Sequence, residues 1–160
     1  MSEASTRTRV VIVDDDPQIT ELCRSHLEAS GSFEVIGVCE TAAEGYYLAL
    51  EQDPGVILID LGLPDGSGET LIGDLFRALP DSMVAAFTAT DAEEAEQRVR
   101  ATGAFAYYEK DMLRGGQLVH YLGEDLGLFV RAVGGEDVLA PSALQRRGDT
   151  PPGGTPTRLR

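Results

Sequence analysis

The chain has no tryptophan, only two cysteines and two histidines, and 13 Lys and Arg against 27 Asp and Glu, for a net charge of −14 over 160 residues. So few cations exclude the basic patch that binding to nucleic acid or an anionic membrane surface requires, and favour metal ions or basic partners instead. Cys23 and Cys39 have no CxxC spacing and suggest neither a disulfide framework nor a cysteine metal site; they read as small apolar residues in a reducing compartment. No apolar run reaches the length that crosses a bilayer, and the N-terminal SEASTRTR lacks the apolar segment of a secretory signal, so the expectation is a soluble cytoplasmic protein. All but one of the cations are arginine. The exception, Lys110, stands out as a candidate for a specific task.

What is present centres on residues 56–68, VILIDLGLPDGSG, where an apolar run meets Asp60 and breaks into a loop of Gly and Pro. A short apolar run bounded by Asp53-Pro54-Gly55 and Pro64-Asp65-Gly66 fits a strand buried on both faces of a parallel sheet. Ligands of open α/β sheets bind beyond the carboxyl ends of the strands, which is where Asp60 falls.

In chain order, Arg9 to Val13 reads as a strand stopped by Asp14, Asp15 and Asp16, with Asp16 as N-cap and Pro17 opening a helix whose face is Ile19, Leu22, Cys23 and Leu27. His26 lies near that face and reads as a packed or surface residue rather than a ligand. Residues 33–39 form a second strand, and Thr41 with Glu44 is a capping box for a helix to about Gln52. After the central strand, Leu71, Ile72, Leu75, Phe76 and Leu79 mark a helix, and Met83 to Phe87 a fourth strand ending in Thr88-Ala89-Thr90.

Asp91 and Glu94 form another capping box, for a helix from 92 to about 102 with a thin apolar line of Ala92, Ala95 and Val99. Its charged face pairs Glu94 with Arg98 and Glu96 with Arg100 by spacing, which reads as a solvated or docking surface. Ala104 to Tyr108 is a fifth strand with Glu109 and Lys110 at its end, and Leu118, Leu122, Leu126, Phe129 and Val133 suggest one last helix. Five strands alternating with helices predict an α/β fold: a doubly wound five-stranded parallel sheet with helices on both faces. In the flavodoxin-like order 2-1-3-4-5, the switch point between the first and third strands gathers Asp14, Asp15 and Asp60, and Thr88 and Lys110 join them at the same edge.

VIVDDDP, VILIDLGLPDGSG, FTA and YYEK together resemble the four marks of a response-regulator receiver domain, in order and over about residues 8–140. The resemblance implies that a sensor histidine kinase or phosphotransfer protein passes a phosphoryl group to Asp60, and that the domain is not a turnover enzyme. It implies Mg²⁺ held by Asp15, Asp60 and the backbone carbonyl of Gly62, with Asp14 acting through water. Lys110 and Thr88 would bind phosphoryl oxygens, and Thr88 with Tyr107 would form the switch, Tyr108 being the alternative aromatic. The implied output is a changed protein-interaction surface, including a homodimer through the face of the fourth and fifth helices and the fifth strand, and control of transcription through an output domain not present here.

Glu109 stands where an apolar residue is usual in the family, and Asp111 where many members have Pro, although Lys110-Asp111-Met112 resembles receivers attached to a LuxR-like helix-turn-helix. The stretch from Lys110 to Gly134 is longer than that subgroup implies, by roughly two turns at 3.6 residues each. Residues 141–160, with repeated Pro and Gly, read as a flexible tail or a truncated linker. Neither Gly62 nor Thr90 carries an amide or carboxylate to orient a hydrolytic water, so a persistent acyl phosphate is expected. Two other readings stay open: a receiver-like protein-binding module working without phosphorylation, and a haloacid-dehalogenase-type phosphatase using Asp14-x-Asp16, which has Gln18 where that family has Thr.

Overall fold

Successive residues along a strand face opposite sides of its sheet, and in the principal strands of this protein both sets are apolar, so both sides of the sheet have to be covered. The computed structural model describes residues 6–89 and 92–136. In chain order the elements are β1 (Thr8–Val13), α1 (Pro17–Ala29), β2 (Phe33–Cys39), α2 (Ala42–Gln52), β3 (Val56–Ile59), β4 (Gly62–Leu63), β5 (Gly66–Ser67), α3 (Gly68–Ala78), β6 (Met83–Thr88), α4 (Ala92–Arg100), β7 (Ala106–Glu109), a 3₁₀ segment (Lys110–Gly116) and α5 (Gln117–Val133). Strands β2-β1-β3-β6-β7 form one sheet in that order, every neighbouring pair parallel. With the two-residue strands of the β4–β5 hairpin set aside, this is the expected doubly wound parallel sheet, in the flavodoxin-like order 2-1-3-4-5.

Val11, Val13, Ile57, Ile59, Val84, Ala86 and Tyr107 point to one side, where residues of α2, α3 and α4 pack on them. Val10, Ile12, Val56, Leu58, Met83, Ala85, Phe87, Ala106 and Tyr108 point to the other, covered by α1, the 3₁₀ segment and α5. The first two helices start where their sequence signals stand. Asp16 Oδ1 accepts the Gln18 and Ile19 N–H groups at 3.0 and 3.3 Å, and Thr41 Oγ1 accepts that of Glu44 at 3.2 Å.

Several local expectations are corrected. Leu22 and Phe76 are not part of the buried stripes but are 45% and 51% exposed, because each lies at the margin of a helix face whose centre is taken by Cys23 and Leu27 or by Ile72 and Leu75. Arg98 does not pair with Glu94 on its own helix; it reaches Glu69 at the start of α3, while Glu96 and Arg100 do pair, at 2.6 Å. The fifth strand begins and ends later than its apolar run, so Glu109 lies within β7 and not after it. The residues between Lys110 and Gly134 divide into a 3₁₀ segment that kinks at Arg114 and Gly115, with Gly115 and Gly116 at φ 66° and 73°, and a 17-residue helix. Thr90, Asp91 and the tail from 137 lie outside the described residues, as do the side chains of Ala92 and Ala95.

Cys23 and Cys39 are buried and unpaired as a disulfide. Burial pushes their thiols up to about 12 and about 11, so both stay protonated at neutral pH and behave as apolar core. Among the described residues no helix is long and apolar enough to cross a membrane.

Candidate functional site

Four neighbouring strands stop at the same edge because their apolar runs end in polar residues: β1 before Asp14, β3 before Asp60, β6 at Thr88 and β7 at Glu109, followed by Lys110. The ladder continues one residue past the strands. The Asp14 N–H donates to the Cys39 carbonyl and the Asp60 N–H to that of Val13, both at 2.9 Å, so the backbones of the two acids are held in sheet register. Asp14, Asp15 and Asp60 each offer one carboxylate oxygen within 4.8 Å of the others. Asp14 and Asp60 are buried and Asp15 is exposed at the mouth of the cluster.

Like charges this close repel, and the protein answers with its one lysine. Lys110 Nζ lies 2.8 Å from Asp14 Oδ2 and 3.4 Å from Asp60 Oδ2, with its side chain only 14% exposed. The Asp14 contact has the distance of an ion pair but not the alignment of a hydrogen bond, and Oδ2 is otherwise a buried atom with no bonding partner. Asp14 Oδ1 accepts the Asp16 N–H at 2.9 Å, and Asp60 Oδ1 accepts the Gly62 N–H at 3.3 Å.

Burial raises the Asp14 carboxyl above its ordinary range, and the charge of Asp60 adds to this, against Lys110 and the Asp16 amide. Burial lowers the Lys110 ammonium, but the Asp14 and Asp60 carboxylates outweigh it and leave it above its usual value. That contribution to stability is complete below the unfolded value of 10.5 and is lost as pH rises through the raised folded value, so it is fully present at neutrality.

Hard carboxylate oxygens converging on one point, one of them buried without a hydrogen bond, suit a small divalent cation such as Mg²⁺ that binds a few protein oxygens and keeps waters. Gly62 opens the hairpin beside Asp60, and a side chain there would meet nothing within 4 Å. Thr88 is buried at the end of β6, opposite Glu109 in β7. Tyr107 packs on the α4 side of the sheet and Tyr108 on the α5 side, where its hydroxyl donates to Asp125 Oδ2 at 2.6 Å. Asp16 stays out of the cluster because its carboxylate caps α1.

Four features escape a reading of the sequence: the Glu69–Arg98 pair, the buried Asp125, the close approach of Gly68 to Asp60, and Asp65, whose carboxylate caps α2 from a distant loop. Asp125 alone had a faint signal, since it stands on the apolar side of the last helix one residue before Leu126.

A family model described as response regulator receiver domain matches residues 10–122. The transcriptional regulatory protein KdpE of Mycobacterium tuberculosis is 36% identical over 103 residues, covering 64% of this chain and 44% of that protein. YxjL of Bacillus subtilis, an uncharacterized transcriptional regulatory protein, is 32% identical over 107 residues, covering 67% and 49%. The chain thus spans about half the length of the curated relatives it matches. Among solved structures, the signal receiver domain of the putative response regulator NarL from Mycobacterium tuberculosis has a TM-score of 0.68 at 26% identity, over 76% of this chain and 98% of that one. A LuxR-family response regulator from Aurantimonas shares the fold, with a TM-score of 0.71 at 22% identity over 89% and 99%.

Proposed function

The chain belongs to the response regulator receiver family of two-component systems, and from that premise we propose that it accepts a phosphoryl group from a histidine kinase or phosphotransfer protein on Asp60 and thereby changes a protein-interaction surface. The observation that carries this reading is the cluster itself: three carboxylates within 4.8 Å of one another, with Lys110 set between Asp14 and Asp60.

In the transfer, an Asp60 carboxylate oxygen forms the new bond to phosphorus as the bond from phosphorus to the donor imidazole nitrogen breaks, and that nitrogen keeps the electron pair. Mg²⁺ held by Asp15, Asp60 and the Gly62 carbonyl, with Asp14 through water, would neutralise charge on donor and acceptor oxygens. The chain's own residues do the rest. The register bonds hold Asp60 at the strand end, and Lys110, charged and already beside its carboxylate, supplies a compact point charge to a phosphoryl oxygen. Thr88, on the same edge, offers a hydroxyl to another. We assign the switch to Thr88 and Tyr107, because Tyr107 lies on the side of the sheet that α4 covers, whereas Tyr108 faces α5 with its hydroxyl on Asp125.

The test is incubation with a small-molecule phosphodonor with and without Mg²⁺. The expected result is an Mg²⁺-dependent, acid-labile, hydroxylamine-sensitive gain of one phosphoryl mass, with Asp15→Asn needing more Mg²⁺ to reach the same rate. No mass gain at any Mg²⁺ concentration would leave the protein-binding module as the reading. The phosphatase reading has lost its second aspartate to the cap of α1.

Lifetime is a separate expectation. Gly62 has no side chain to orient a hydrolytic water, so the acyl phosphate should persist for minutes or longer, and the open space there admits an amide that can orient it. Gly62→Asn should shorten the half-life several-fold; a variant that keeps its phosphate as long as wild type, or a wild-type half-life of seconds, speaks against this.

We further propose that phosphorylation favours a homodimer through α4, β7 and α5, where Val130 and Val133 leave α5 with apolar side chains 62% and 49% exposed. Sedimentation of a monomer both with and without phosphodonor at high concentration would exclude it. Control of transcription through an output domain is proposed for the longer protein of which such a receiver would be part.

A further inference from the structure

The first four N–H groups of an α-helix have no partner within it, and in α2 three of them, those of Ala42, Ala43 and Glu44, each find a side-chain oxygen. Thr41 Oγ1 takes that of Glu44, as the local sequence foretells. The other two are taken from outside the helix by one residue of the acceptor loop: the Ala42 N–H donates to Asp65 Oδ1 at 2.7 Å and the Ala43 N–H to Asp65 Oδ2 at 3.1 Å.

Asp65 stands at the tip of the hairpin whose first residue is Gly62. At its base the hairpin is held by the pairs Gly62 with Ser67 and Leu63 with Gly66, and by the bond from the Gly68 N–H to the Leu61 carbonyl. On its flank the buried Leu63 packs into the α2 and α3 side of the core. Without Asp65 the tip would have only this short two-residue ladder to hold it. With it, both oxygens of one carboxylate lock the tip to a helix end whose partial positive charge they also oppose. The N–H groups of Ala42 and Ala43 hold the Asp65 carboxyl below its ordinary value, which keeps it charged at neutral pH.

We infer that Asp65 is a positioning residue for the acceptor site: by clamping the loop to the first turn of α2 it fixes Gly62, and through the Gly62 N–H the Asp60 carboxylate, in the arrangement that receives the cation and the phosphoryl group. The inference rests on the proposed function and deepens it. It also makes α2 part of the frame of the site, so that a displacement of its first turn is transmitted to the loop.

The test combines Mg²⁺ titration, followed by the backbone amide signals of Gly62 and Leu63, with phosphorylation rates and amide exchange in the metal-free protein. Asp65→Ala should weaken Mg²⁺ binding by about tenfold, the lower end of what loss of a ligand's supporting bond costs. It should also slow phosphorylation and speed exchange across residues 61–67. Asp65→Asn keeps one oxygen acceptor and should fall between the two.

A second variant removes the clamp from the other side. Ala42→Pro deletes one donor at the first helical position, where proline is favoured, and Thr41 before it already has φ −126° and ψ 156°, which suits a residue preceding proline. It should reproduce part of the Asp65→Ala effect, and in the double variant the two effects should not add. Wild-type Mg²⁺ affinity in both single variants, or a lowered Tm with Mg²⁺ affinity unchanged, overturns the inference while a phosphorylatable wild type leaves the proposed function standing. A wild type that neither binds Mg²⁺ nor takes up phosphate overturns both.

Discussion

Asp60→Asn is expected to leave a folded protein that takes up no phosphoryl group. The amide has the shape of the carboxylate and can still accept the Gly62 N–H that now reaches Asp60 Oδ1 at 3.3 Å, so the loop has no reason to rearrange. What is lost is the anionic oxygen that attacks phosphorus. The neighbours do not replace it: Asp14 is almost fully buried, with Oδ1 bonded to the Asp16 amide and Oδ2 facing Lys110, and Asp15 stands exposed at the mouth of the cluster. Removing one of three mutually repelling carboxylates outweighs the loss of a 3.4 Å contact to Lys110, whose closer partner at 2.8 Å remains. The metal-free variant should therefore unfold at or above the wild-type temperature. Intact mass after exposure to phosphodonor and Mg²⁺ decides the first point, and a stoichiometric phosphoryl adduct on the variant would place the acceptor elsewhere.

Gly68→Ala should damage both stability and phosphorylation through a single methyl group. Gly68 opens α3 with its backbone against the acceptor strand, and a Cβ there would stand 2.1 Å from the Asp60 carbonyl oxygen and 2.7 Å from the Leu61 Cα. These are backbone atoms of the proposed acceptor and of the residue after it, so they cannot swing aside as a side chain could. Either the start of α3 retreats or Asp60 shifts. Overpacking of this kind costs about 1–3 kcal/mol, and catalysis falls as the acceptor leaves its place. Gly66→Ala is the control, since a Cβ at that exposed position meets nothing within 4 Å. Urea midpoints and phosphorylation rates should separate the two variants. Equal values for Gly68→Ala and wild type would mean that the loop yields freely, and with it the idea of a tightly framed acceptor would fall.

The strands and the carboxylates at their ends were legible in the sequence for local reasons. A buried strand announces itself by an apolar run, a cap by a short polar side chain just before a helix, and a strand's end by the polar residue that stops it; each signal lies within a few residues of what it specifies. Hence Asp14, Asp15, Asp60, Thr88 and Lys110 could be placed on one sheet edge before any coordinate was known, and Asp16 on a helix cap. Tertiary structure alone decided the contacts between residues far apart in the chain: Asp65 on the α2 amides 22 and 23 residues away, Arg98 on Glu69 rather than on the Glu94 of its own helix, and Tyr108 on a buried Asp125. It likewise decided that Leu22 and Phe76 face water and that Gly68 is needed where it stands. These depend on how helices are laid across the sheet and how closely a loop returns to its strand, and no period of two or of 3.6 residues encodes that distance.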